Sequence, residues 1–77
     1  MPEGRIVVDA YAGYRGEESP RSFLLDRERI EVREILSQWI EEDKKGSRKR
    51  FFRVKGSNKN TYLLFYDENE MIWYVRT

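Results

Sequence analysis

Three short runs near the C-terminus, KRFFRV (49–54), NTYLLFY (60–66) and MIWYVR (71–76), consist largely of aromatic and β-branched residues. The polar stretches KGSNKN and DENE lie between them. Residues of this type fit a pleated surface, and Gly, Ser, Asn and Asp between them favour turns, so the pattern predicts three consecutive strands. With simple hairpins in which Val54 faces Tyr62 and Tyr66 faces Met71, side-chain alternation divides the runs into two faces. One carries Phe52, Val54, Tyr62, Leu64, Tyr66, Met71, Trp73 and Val75; the other carries Lys49, Phe51, Arg53, Lys55, Leu63, Phe65, Ile72 and Tyr74. Both faces are apolar, unlike a meander with one wet side. Either the N-terminal half wraps both sides as a barrel, or part of the second face meets a partner.

The remaining chain is read by the same signals. RIVVDAYA (5–12) predicts a strand and GYRGEESP (13–20) a loop, while SFLL (22–25) and RIEV (29–32) around Asp26–Glu28 predict a short hairpin. The stretch 32–46 carries two signals. Val32, Ile35, Leu36, Trp39 and Ile40 fall on one stripe of an amphipathic helix, with Lys44, Lys45 and Gly46 at its end. RIEVREIL, in contrast, alternates like a strand.

Length and composition narrow the choices. Seventy-seven residues hold one core and hence one domain over 1–77, with residues 1–4 expected to fray. There is no Cys and no His, which excludes a disulfide framework, a Cys/His zinc site and any His-based triad. No run approaches the ~18 apolar residues of a membrane helix and no signal peptide precedes the first strand, so a cytoplasmic setting and no membrane partner are expected.

The net charge of +1 conceals a segregation. Residues 44–59 carry eight basic side chains and no acid, whereas the rest of the chain has a net charge of −7. Arg48, Lys49, Arg50, Phe51, Arg53, Lys55 and Lys59 form the candidate nucleic-acid-binding set, because cations meet phosphates and a flat ring can stack a base. Basic strand edges are also common in proteins that bind nothing there, since Lys at an edge blocks aggregation. Phe51, Leu63, Phe65, Ile72 and Tyr74 form a second candidate set, an apolar face for a protein partner or a homodimer.

Tyr11, Tyr14 and Arg15 beside the first loop could stack on a base, but aromatic residues there more often pack across a barrel end. Glu17, Glu18, Glu41, Glu42 and Asp43 read as solvated acids, because neighbouring residues on a strand point apart rather than converging on a metal or substrate. Trp39 and Trp73 read as core residues. No phosphate loop, nucleophile elbow or EF-hand spacing is present. The chain therefore reads as a non-enzymatic module with no cofactor and no metal.

The positions Tyr11, Gly13, Tyr14, Glu18, Pro20, Phe23, Val32, Ile35, Leu36 and Trp39, continued by Phe52-x-Val54, Tyr62-x-Leu64, Asp67 and Trp73, carry a resemblance. The chain resembles a family of short uncharacterised bacterial cytoplasmic proteins. That pattern is similar to a small domain found alone or beside Y-family DNA-polymerase-like proteins. The resemblance spans about residues 6–75 and departs at the longer basic insertion Lys44–Arg50. It implies a compact, mostly β domain, which favours strand over helix for 29–41, and it adds weight to a nucleic-acid partner.

The expected fold is mostly β: a small antiparallel meander or barrel of five or six strands, SH3-like or related. The alternative is α+β, with a helix over about 32–44 on a three- or four-stranded sheet. The expected function is sequence-nonspecific binding of single-stranded nucleic acid through 48–59. The alternative is a protein-interaction or homodimerisation module.

Overall fold

The computed structural model describes residues 3–12 and 18–76. Six antiparallel strands follow one another: β1 (Glu3–Ala12), β2 (Glu18–Leu25), β3 (Glu28–Glu42), β4 (Arg48–Gly56), β5 (Thr61–Asp67) and β6 (Ile72–Arg76). Each pairs with the next, and β1 pairs with β6 to close the barrel. The mostly β expectation holds, and no helix forms over 32–44.

Two strands serve both halves of the barrel. β1 pairs through Glu3–Ile6 with β6 and through Val7–Ala12 with β2. β3 pairs through Glu28–Glu31 with β2, then from Val32 onward with β4. It turns this corner at two register shifts, Val32/Glu34 and Ile35/Ser37. Each shift inserts one residue, which bends the strand and increases its twist.

The turns follow local chemistry. Asp26 and Arg27 join β2 to β3 with φ of 50° and 68°, the two left-handed residues of a tight hairpin whose twist matches its strands. The Asp43 carboxylate accepts the Lys45 and Ser47 amides in the β3–β4 turn. Gly46 there has φ of 86°, a conformation a Cβ would disfavour. Asp67 repeats the device, accepting the Asn69 and Glu70 amides between β5 and β6.

The interior joins Phe23, Ile30, Phe52, Val54, Leu64, Trp73 and Val75, with Ile6, Val8, Ala10, Leu25, Val32, Tyr62 and Tyr66 packed around them. The first face derived from alternation is thus the core. Four local expectations are corrected. Tyr66 pairs with Trp73 rather than Met71, because the β5–β6 turn takes four residues; the shift of two keeps every face. Met71 lies in that turn with φ of 61° and is exposed. Trp39 lies outside the core, half-buried on the second face. Glu3 and Gly4 pair with Arg76 and Val75. Glu18 to Pro20, expected in a loop, pair in β2 with Ala12 to Ala10; residues 13–17, including Tyr14, Arg15 and Glu17, lie outside the described residues.

Candidate nucleic-acid interface

Cross-strand register assembles the second face. Trp39, Phe51, Phe65 and Tyr74 lie directly opposite one another on β3, β4, β5 and β6. Opposed side chains share a face, so these four rings must meet. They stack at centroid distances of 5.3, 5.1 and 5.0 Å with interplanar angles of 2°, 29° and 17°. The result is one continuous pile of rings across four strands.

Cations cover this pile. The Arg76 guanidinium lies 5.6 Å from the Phe51 centroid and 5.4 Å from that of Phe65. The Lys49 ammonium lies 5.6 Å from Phe65, and the Arg53 guanidinium 5.9 Å from Trp39. Positive charge is attracted to the electron-rich ring faces, while the aliphatic stems shield the rings from water. Phe51 and Phe65 are therefore only 1% exposed, as deeply buried as the interior core.

This burial corrects both candidate sets at one point. Register does bring Phe51, Leu63, Phe65, Ile72 and Tyr74 onto one face, as alternation predicted. They do not form an exposed apolar patch, because the two phenylalanines are closed over and Leu63, Ile72 and Tyr74 are half-buried. For the same reason Phe51 offers no free face to a base.

The basic set divides in two. Arg53 and Lys55 project outward from β4 and are exposed, with Lys49 in the same alternation. Lys59 is exposed in the β4–β5 turn, where its φ of 72° lets the chain reverse. Arg48 and Arg50 belong to the opposite alternation, that of Phe52. Arg50 is held by Glu68 through a 2.7 Å ion pair, and the Glu68 amide donates to the Arg48 carbonyl. This end of the barrel is further tied by Asn69 Nδ2 donating to Ser47 Oγ. Arg76 and Arg5 were missed by the sequence reading. They lie far from 48–59 along the chain, and only the β4–β5–β6–β1 register brings them to this face.

Acids near the face are engaged locally. Glu41 accepts the Trp39 indole N–H at 3.0 Å and so fixes the ring at the end of the pile. At the other end Tyr74 donates its hydroxyl to Glu70 at 2.6 Å. That hydrogen bond, aided by desolvation and the Glu70 charge, holds the phenol above its ordinary pKa, while Arg5 opposes the shift. Comparisons with known protein families, curated proteins and solved structures find no match to this chain.

Proposed function

We propose that the outer face of β3–β6 binds single-stranded nucleic acid without sequence preference. One observation carries the proposal: Lys49, Arg53 and Lys55 of β4 and Arg76 of β6 converge on a single sheet face, three of them already lying over aromatic rings. An electrostatic groove of this type tracks a phosphate backbone. Phosphate contact supplies the affinity, and Phe51 and Phe65 hold the platform that displays the cations. Bases have access only to the half-buried rings at the two ends of the pile, Trp39 and Tyr74.

The test is titration of labelled single-stranded DNA and RNA over a range of salt concentrations. With about three to five phosphates contacted, the log–log slope should lie near −2 to −3.5. Arg53→Glu combined with Lys55→Glu should abolish binding without unfolding the protein; both side chains are exposed, and the melting temperature should fall only by what the lost Arg53–Trp39 contact and a new like charge opposite Glu34 cost. Absence of binding below about 100 µM at low salt, weaker than ordinary nonspecific association, would overturn the proposal.

A further inference from the structure

Charge is not spread evenly over the outer face of β3–β6. Cross-strand register sorts its residues into rows, because directly opposed side chains share a face. The row of Lys49 reads Glu41, Lys49, Asp67 and Ile72 from β3 to β6, so Lys49 has a carboxylate on each side. The row of Lys55 begins at Glu34 and continues to Thr61. Between these two lie the ring row and the row Ser37, Arg53, Leu63 and Arg76, which holds no acid from β3 to β6. On β1, Glu3 stands opposite Arg76 and closes that row. Arg5, two residues on, stands opposite Tyr74 at the end of the ring row.

A phosphate settles where cations are not opposed by carboxylates. Glu41 and Asp67 repel it beside Lys49, whereas Arg53 is flanked only by Ser37 and Leu63. Exposure follows the same order: Arg5, Arg53 and Arg76 are exposed, and Lys49 is half-buried. Resting on the nucleic-acid function proposed above, we infer that the bound strand crosses the β-strands instead of following β4, passing from Arg53 to Arg76 and on to Arg5. The Arg53 guanidinium near Trp39 and that of Arg76 over Phe51 and Phe65 are already placed on this path. Their planar forks suit phosphate oxygens.

The path selects the substrate. β4, β5, β6 and β1 are consecutive in a closed barrel, so the three arginines are spread over three of its six inter-strand steps. A flexible single strand bends round this arc. A duplex, with a persistence length of about 150 base pairs, cannot follow it and reaches fewer of the arginines. Preference for single strands over duplexes then comes from shape, with no base read.

Single substitutions assayed with a labelled oligothymidylate separate a path across the sheet from one along β4. Arg76→Gln and Arg5→Gln should each weaken binding about tenfold and make the log–log salt slope shallower by about 0.7. Lys49→Gln should change affinity by less than about twofold. A path along β4 predicts the reverse, since Arg5 lies outside 44–59 on another strand. Melting curves establish that each variant is folded at the assay temperature. The duplex formed with oligodeoxyadenylate should bind about tenfold more weakly than the single strand. Failure of the wild-type protein to bind oligothymidylate refutes the nucleic-acid function and this path with it. Wild-type binding in which Lys49→Gln is as damaging as Arg76→Gln, Arg5→Gln is silent, or the duplex is held as tightly as the single strand overturns the path alone.

Discussion

Phe65→Ala tests whether the outer face contains a second core. Phe65 is 1% exposed and stacks on Phe51 at 5.1 Å and on Tyr74 at 5.0 Å. Full burial of a Phe side chain is worth about 2–3 kcal/mol. Two ring contacts add about 0.5–1.5 kcal/mol each. The void term should be smaller than in a closed interior, because the long side chains of Lys49 and Arg76 can settle into the space. The expected loss is therefore about 3–6 kcal/mol. A chain of this length has a total stability of roughly 4–12 kcal/mol, so the loss removes a large share of it. The melting temperature should fall by about 12 °C or more. Thermal and urea unfolding followed by far-UV circular dichroism measure this, with Leu63→Ala at a half-buried neighbour as a milder comparison. A Phe65→Ala protein melting within about 3 °C of wild type would show that the ring carries little packing energy, and the cation-capped second core would be refuted.

Two further perturbations probe the frame. At Gly56 an added Cβ would lie 2.7 Å from Ile30 Cγ2 and 3.2 Å from the Tyr62 ring, so Gly56→Ala should cost about 1–3 kcal/mol in urea unfolding. The Tyr74 phenol has a raised folded-state pKa, so its contribution is fully present below the unfolded pKa and is lost as pH rises through the folded value. Stability should therefore decline on the alkaline side above the ordinary tyrosine pKa of about 10, and Tyr74→Phe should flatten that decline in melting curves.

The last three strands and their two faces were legible in the sequence because each is a short alternating run bounded by turn residues. Val54 opposite Tyr62 follows from the short polar turn, and a register error of two at β5–β6 was harmless because side chains repeat every two residues. The second strand's hairpin with β3 was legible for the same reason. Residues 32–40 were ambiguous for a physical cause visible only in the fold. The bulges at Val32/Glu34 and Ile35/Ser37 each insert a residue, so positions on the inner alternation fall at Val32, Ile35, Gln38 and Ile40. Spacings of three produced by bulges imitate a helical stripe. Burial of Phe51 and Phe65 was likewise beyond the sequence: alternation put them on the outer face, but the cations that close over them arrive from β6 as well as β4. The charge segregation of 44–59 could be counted directly. Which charges remain free was decided by tertiary structure, because Glu68, twenty residues along the chain from Arg48, returns to hold Arg50 while Arg53 and Lys55 stay exposed. Alternation is a local property of a strand and survives in the sequence; closure, bulges and ion pairing depend on which distant strands become neighbours.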